Sequence, residues 1–156
     1  MVKMMDNDNK LQENLMEHIL EVGECWVIDL FPRQIQNFKK YKMLELYLLK
    51  TKNRKLYAQK IIECLWKIIP YYDLYIWFVE RTKKIYLHDV PFVKLEKIIK
   101  KKITKDETIN ILIEAYNIVI QIQLYNTSIH FEQYEDILLI KEIVEHEGFY
   151  VWKSPI

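Results

Sequence analysis

The chain has 156 residues and a formal net charge of +1, with 51 % hydrophobic and 29 % charged residues. This length suits one domain, and the hydrophobic fraction argues against a disordered chain. Only two glycines are present, Gly23 and Gly148, whereas phosphate-binding loops need several glycines at fixed offsets. The composition therefore excludes a P-loop, a dinucleotide-binding fingerprint and a kinase-type glycine loop.

Several features predict a cytoplasmic protein. Residues 1–9 contain Asp6 and Asp8 and no apolar run, so they do not resemble a secretory signal, and we expect a flexible tail there. No segment reaches the roughly 18 uncharged apolar residues of a membrane-spanning helix. Cys25 and Cys64 lie in apolar segments, which predicts reduced core thiols, with a disulfide between them as the alternative.

A helix followed by a strand is predicted near the N-terminus. Apolar residues recur every three or four positions over 10–22, where Asn9 is the expected N-cap and Gly23 the expected left-handed residue after the helix. The short apolar segment 25–30 then predicts a strand, which ends before Pro32.

Two helices are predicted to follow. Residues 43–49 are apolar and rich in helix formers, which favours a short helix. The next helix is predicted over 54–69, with Asn53 as its N-cap and Pro70 ending it. Its expected buried stripe consists of Leu56, Ile61, Leu65 and Ile68.

A hairpin and another helix occupy the middle of the chain. The aromatic-rich segment 72–80 predicts a central strand, and 85–88 its partner across a polar turn at 81–84. Pro91 can open a helix that runs to about Lys102. The inner face of that helix is assigned to Val93, Leu95, Ile98 and Ile99.

The last third of the chain predicts two paired strands, a helix and a final strand. These elements cover 117–124, the region of Ile129 and Phe131, 135–147, and 149–152. Residues 106–115 fit two structures: Thr104 and Glu107 have the spacing of a helix capping box, whereas the isoleucines at 109, 111 and 113 alternate as in a strand.

Together these elements predict an α+β fold. The two hairpin signals, 72–88 and 117–132, are separated and flanked by helices. We therefore expect a single domain over 10–156, with a mainly antiparallel sheet of about five strands and helices packed on it.

Two carboxylates and an arginine are candidate ligand contacts. Asp29 interrupts an apolar strand shortly before Arg33, and Asp73 precedes the next predicted strand. A carboxylate at a strand end can bind a ligand, but it can equally cap a turn or pair with a neighbouring arginine. If the two strand ends lie together, Asp29, Arg33 and Asp73 would form the site of a small enzyme of unspecified reaction.

Other catalytic or metal-binding patterns are missing from the sequence. None of the four histidines has the spacing of a zinc site, and His130 with Glu132 supplies two ligands at most. Neither Cys25 nor Cys64 lies in an electropositive sequence context that would favour a thiolate. We therefore expect no metal, no cofactor and no catalytic constellation.

Charge is segregated along the chain. Residues 1–38 carry a net charge of −4, residues 39–105 a net +12 and residues 106–156 a net −7. Residues 94–105 hold the densest basic block, in which helical spacing gathers three candidate docking residues, Lys97, Lys100 and Lys101. The 20 lysines, 3 arginines and 23 isoleucines are also typical of an AT-rich genome, so a solvated lysine face is the alternative interpretation.

Three segments resemble small proteins of low-GC Gram-positive bacteria for which no activity is established. They are Trp26-Val-Ile-Asp-Leu-Phe-Pro-Arg33, Pro70-Tyr-Tyr-Asp73 and Glu147-Gly-Phe-Tyr-Val-Trp152. The resemblance spans most of the chain and implies no catalytic residues.

These observations favour a non-catalytic binding protein, such as an inhibitor or immunity-type protein, which acts through its segregated charge. An acidic protein is the expected partner. Weak, non-specific nucleic-acid binding through residues 94–105 is less favoured, because three arginines and a pI near 7.7 fall short of a typical nucleic-acid-binding domain. The small enzyme at Asp29, Arg33 and Asp73 remains the other alternative.

Overall fold

The computed structural model describes residues 2–31, 37–78, 81–87 and 89–154. Within these ranges the helices are α1 (Val2–Val22), α2 (Asn37–Leu49), α3 (Thr51–Ile68), α4 (Phe92–Thr104) and α5 (Leu138–His146). The strands are β1 (Glu24–Asp29), β2 (Tyr75–Phe78), β3 (Arg81–Tyr86), β4 (Ile109–Ile113), β5 (Ile118–Ile122), β6 (Thr127–Phe131) and β7 (Tyr150–Lys153). Single 3₁₀ turns cover Glu114–Tyr116 and Tyr134–Ile137.

The α+β class is confirmed, but the predicted sheet of about five strands is too small. Across the described ranges, seven strands form one antiparallel sheet in the order β3-β2-β4-β5-β6-β1-β7. β1, next to the edge strand β7, pairs with β6 and β7, and both are far from it in the chain. The expected strand count came from hairpin signals, which indicate pairing only between strands that are close together in the chain.

Both faces of the sheet are apolar near its centre. The isoleucines at 109, 111 and 113 of β4 and at 118, 120 and 122 of β5 share one face and are buried with residues of α3, α4 and α5. The opposite face presents Leu112 and Val119, and α1 packs Met16 and Ile19 against them. Because successive side chains of a strand point to opposite faces, helices on both sides bury both sets.

The boundaries of the N-terminal helices differ from the prediction. α1 begins at Val2, so Asn9 is not its N-cap, while the flexibility of residues 1–9 stays a prediction. α3 begins at Thr51, after Lys50, and Asn53 Nδ2 donates to the carbonyl of Tyr47 at 2.8 Å instead of capping the helix. The short helix predicted over 43–49 is the last part of α2.

Three predicted buried residues lie at the surface. Val93 is 62 % exposed, because the adjacent Phe92 is the buried residue at the start of α4. Leu56 is 49 % exposed, because the buried stripe of α3 runs through Tyr57, Ala58, Ile61 and Ile62. Ile98 is 37 % exposed, whereas the adjacent Ile99 is buried. In each case two adjacent residues of the helix are apolar, but only one of them faces the sheet. The packing of the helix on the sheet determines which one is buried.

The two glycines end their helices in different ways. Gly148 has φ +95°, which confirms the left-handed conformation predicted after α5. Gly23 is not among the described residues with positive φ, so that part of its prediction is wrong. A Cβ at Gly23 would lie 2.5 Å from the carbonyl oxygen of Ile19 and 3.2 Å from that of Phe131, so a close backbone approach requires glycine there.

Two further segments that the sequence left open or assigned to a turn are strands. Residues 109–113 form β4, which settles the open choice in favour of a strand. β3 begins at Arg81, so the predicted polar turn at 81–84 is wrong.

Cys25 and Cys64 are free thiols, as predicted. In the described part of the chain, each helix is too short or too polar to cross a lipid bilayer.

Candidate functional site

The basic block of the sequence lies where α3 and α4 pack against each other. The two helices run antiparallel, as three contacts at successive levels show. Near the end of α3, the Trp66 ring lies 4.7 Å from the Phe92 ring at the start of α4, measured between centroids. In the middle, Lys100 Nζ of α4 donates to Gln59 Oε1 of α3 at 3.2 Å. Near the start of α3, Arg54 Nη1 donates to the carbonyl of Thr104, the last residue of α4, at 3.2 Å. The C-terminal end of α4 therefore lies beside the N-terminal end of α3.

The burial pattern of α4 determines where its lysines lie. Its buried residues recur at spacings of three and four, the pattern of one helix face, and are Phe92, Leu95, Ile99 and Ile103. Lys97 and Lys101 fall on the side opposite this stripe and are exposed, whereas Lys100 lies nearer to α3 and is half-buried. The predicted exposure of this lysine face is confirmed for Lys97 and Lys101.

Five lysines surround one groove at this helix pair. We call it the lysine groove: its lining consists of Lys55, Lys97, Lys100, Lys101, Thr104 and Lys105. It has a volume of about 330 Å³. The structure thus brings the three predicted docking lysines together and adds Lys55 from α3 and Lys105 from the residue after α4.

The charges of the lysine groove are not neutralised within the described part of the chain. Lys100 donates to the neutral amide of Gln59, and the other four lysines have no carboxylate partner there. Lysines elsewhere do find carboxylates, as in the pairs Lys67–Glu147, Lys102–Glu107, Lys141–Glu145 and Lys153–Glu24. The groove is therefore a concentration of uncompensated positive charge.

The helix dipole explains only some of these lysines. Lys101 and Lys105 lie at the C-terminal end of α4, where a cation is stabilised. Lys55 lies near the N-terminal end of α3, where the dipole disfavours a cation, and Lys97 lies in the middle of α4. Their placement beside the others adds like-charge repulsion, and no hydrogen bond or ion pair within the described residues offsets it for Lys55 or Lys97.

Arg54 organises this end of the molecule and was not singled out from the sequence. Its guanidinium donates from Nε to the carbonyl of Leu48, from Nη1 to that of Thr104 and from Nη2 to the Tyr125 hydroxyl. It therefore joins the ends of α2 and α4 to the β5–β6 turn. The sequence contained one signal for Arg54: it is one of only three arginines in a chain with 20 lysines.

The three candidate ligand contacts do not form one cleft. Asp29 ends β1, beside Thr127 and Tyr150 at one end of the sheet, whereas Asp73 is exposed and precedes β2 at the other end. Arg33 lies outside the described residues. Asp29 is buried, and its Oδ1 accepts from the Phe31 amide at 3.3 Å, the turn-capping role that was the alternative interpretation.

A thiol, a hydroxyl and an imidazole meet on β1 and β6. His130 Nε2 lies 2.9 Å from Ser128 Oγ and 3.9 Å from Cys25 Sγ. Burial raises the pKa of the Cys25 thiol and lowers the pKa of His130. Both shifts favour the neutral pair over a thiolate–imidazolium pair, so the arrangement is not that of an activated nucleophile. Within the described residues, no three His, Cys, Asp or Glu side chains converge as a metal site.

Comparison of the chain with protein-family models, curated proteins and solved structures finds no match. The resemblance to small Gram-positive proteins therefore stays an expectation. The function of the chain is therefore inferred from the geometry and charge of the lysine groove.

Proposed function

We propose that this chain is a binding protein that holds an acidic segment of a partner protein in the lysine groove. The observation that supports this most directly is the set of five lysines around one concave site without carboxylate partners in the described residues. Inhibitor and immunity-type proteins that mask an acidic patch of their target fit this mode of action.

The size of the groove favours a short acidic segment. From Lys97 to Lys105 the helix axis rises by about 12 Å at 1.5 Å per residue. An extended peptide covers that distance with about four residues at roughly 3.3 Å each. A cluster of about four aspartates and glutamates would therefore match the lysines, and exposed charges of opposite sign would accelerate the encounter.

The lining of the groove favours a protein over a nucleic acid. Proteins that bind single strands combine a basic groove with aromatic side chains on which bases stack. The described lining of the lysine groove contains lysines and one threonine, and no aromatic residue. It also lacks arginine, which supplies most bidentate contacts to bases.

A direct test compares two polyanions of equal charge. Fluorescence anisotropy with a labelled peptide that contains four consecutive glutamates, and with a labelled oligothymidylate of the same net charge, measures both affinities at 50 mM NaCl. We expect saturable peptide binding that Lys55→Ala and Lys101→Ala each weaken several-fold. Matched controls outside the groove, Lys39→Ala and Lys42→Ala, should leave the peptide affinity unchanged.

Two results would contradict the proposal. Peptide affinity that falls equally in groove and control variants would show a non-specific charge effect. Tighter binding of the oligothymidylate than of the peptide, dependent on Lys55 and Lys101, would favour the nucleic-acid alternative.

A further inference from the structure

The outer side of α2 is apolar, although it faces away from the core. Leu44 and Leu48 lie about one turn apart, are buried and attach the helix to the core. Four further apolar or aromatic residues of the same helix are between 38 % and 62 % exposed, and they are Met43, Leu46, Tyr47 and Leu49. We call these four residues the α2 apolar face.

The α2 apolar face is a continuous strip along the helix. Leu46 and Tyr47 follow Met43 at spacings of three and four, and Leu49 follows Leu46 after three more residues. Leu46 lies about 200° around the helix from the buried Leu44, so the strip points away from the core. A surface helix usually has polar residues on that side, and an exposed apolar patch is typical of an interaction site.

Exposed lysines border the α2 apolar face. Lys39 and Lys42 precede Met43 and Leu46 by four residues and therefore lie on the same side of the helix. The exposed lysines near the strip in the chain are Lys39, Lys42, Lys50 and Lys52. Residues 37–52 contain five lysines and a single carboxylate. Apolar side chains inside a basic border are complementary to a surface with negative charge outside and an apolar interior.

The charges favour a lipid surface over a second copy of the chain. In a two-fold dimer the face would meet itself, so the lysines of both copies would oppose one another, with one glutamate, Glu45, in each 37–52 segment. An anionic bilayer instead offers the opposite charge to every lysine. Lysine stems can extend along apolar surface while the ammonium groups stay at the headgroups, and tyrosine is favoured at the same depth.

We infer that the α2 apolar face binds the surface of an anionic lipid bilayer, with Leu46 and Leu49 inserted below the headgroups. The bordering lysines then lie at the lipid phosphates. α2 lies in the plane of the interface, as interfacial amphipathic helices do, so this binding requires no helix that crosses the bilayer. The inference does not depend on the lysine groove, whose lining contains none of these residues.

Co-sedimentation of the full chain with lipid vesicles tests the inference. One set of vesicles contains only phosphatidylcholine, and the other contains phosphatidylcholine with about 30 % anionic phosphatidylglycerol. We expect at least tenfold stronger binding to the anionic vesicles, because each lysine near a charged lipid surface strengthens binding several-fold. Added salt should weaken this binding, since it screens exposed charges.

Leucine variants separate insertion from charge attraction. The double variant Leu46→Ser, Leu49→Ser keeps every charge and should weaken binding to the anionic vesicles at least tenfold, because two apolar side chains no longer leave water. The matched control is Leu11→Ser, Leu138→Ser, which changes exposed leucines of α1 and α5 and should bind as the wild type does. Circular dichroism confirms that both variants are folded. Acidic-peptide binding at the lysine groove should be unchanged in both, so the two proposals can fail separately.

Three results would overturn the inference. The first is wild-type protein that does not bind the anionic vesicles, or binds both kinds of vesicle equally, which needs no variant. The second is wild-type vesicle binding by the folded Leu46→Ser, Leu49→Ser protein, because charge alone would then explain the attraction. The third is a dimer that forms without lipid in sedimentation velocity and that the same double variant dissociates, because a second copy would then cover the α2 apolar face.

Discussion

Arg54 joins three elements with a single side chain. The carbonyls of Leu48 and Thr104 lie at the ends of α2 and α4, where a helix leaves acceptors unsatisfied. A planar guanidinium with five donors can satisfy both and still reach Tyr125. The lysine groove is built on this junction, because Arg54 fixes the end of α4 that carries Lys101 and Lys105.

Replacing Arg54 should therefore destabilise the protein even when the charge is kept. Arg54→Lys retains one cation but not the fork of donors, so at least one carbonyl loses its partner. Since hydrogen bonds to charged groups contribute about 1.5–3 kcal/mol each, we expect a loss of about 2–4 kcal/mol in urea unfolding. Lys52→Arg, at an exposed position on the same helix, is the control and should be neutral. Wild-type stability of Arg54→Lys would show that the three bonds are dispensable.

The two thiols should differ in reactivity. Burial raises the pKa of Cys64 to about 12, and it raises the pKa of the half-buried Cys25 as well. Because the thiolate is the reacting species, labelling by a disulfide reagent at pH 8 should be slow at Cys25 and should reach Cys64 only on unfolding. The rate at Cys25 should rise with pH. Fast labelling of a Cys25→Ser variant in its native state would contradict the assigned burial of Cys64.

At the scale of secondary structure, α4 shows what the sequence can and cannot predict. Lys97 and Lys101 were placed correctly, because they lie opposite any apolar stripe that includes Leu95 and Ile99. Ile98 was misplaced, because Ile98 and Ile99 are both apolar and only 100° apart on the helix. The apolar residues Phe92, Leu95, Ile99 and Ile103 recur at spacings of three and four, and this longer series favours Ile99 over Ile98 once Phe92 and Ile103 are included.

This difference gives a matched pair of core variants. Ile99→Ala removes a fully buried side chain and should cost about 2–5 kcal/mol through lost transfer energy and a new cavity. Ile98→Ala, 37 % exposed, should cost less than about 1 kcal/mol, since alanine also has the higher helix propensity. Both values come from denaturant unfolding. Equal losses would mean that the register of α4 on the sheet is wrong.

The junction between α1 and β1 gives a further prediction. Gly23 has close backbone neighbours, and an added Cβ would approach the carbonyl oxygens of Ile19 and Phe131. Gly23→Ala should therefore lower stability by about 1–3 kcal/mol, a typical cost of overpacking. Thermal unfolding measures this, with Ala115→Gly at an exposed position as a control for composition. An unchanged melting temperature would refute the close approach.

Site residues could be grouped from the sequence only where they belong to the same helix or strand. Lys97, Lys100 and Lys101 share one helix, so helical spacing sufficed to group them. Lys55 joins them only through the antiparallel packing of α3 on α4. Asp29 and Asp73 were grouped because both lie at strand ends, but β1 and β2 are separated by three strands and these ends point in opposite directions. That separation depends on long-range pairings.

At the scale of the whole molecule, the charge blocks of the sequence become separate surfaces. The lysine groove lies at the end of the sheet where β4 begins and β5 ends. At the opposite end, exposed carboxylates follow β4 and β6, including Glu114, Glu132 and Glu135. Exposed groups of opposite charge therefore lie at the two ends of these strands, and a charge separation of this kind orients a charged partner before contact.

Charge reversal of Lys97, Lys100 and Lys101 to Glu tests whether the lysine groove binds an acidic partner. Stopped-flow association of the labelled acidic peptide is measured at 20–300 mM NaCl for the wild type, for this variant, and for a control with Lys39, Lys42 and Lys94 changed to Glu. Both variants alter the net charge by six units. Each exposed substitution should change stability by only about 0.5 kcal/mol or less, whereas the replacement of half-buried Lys100 also removes its hydrogen bond to Gln59. We expect the wild type and the control to associate rapidly, with rates that fall as salt increases. The groove variant should associate slowly at every salt concentration. A folded groove variant that matches the control in rate and salt dependence would show that the lysine groove is only a solvated surface.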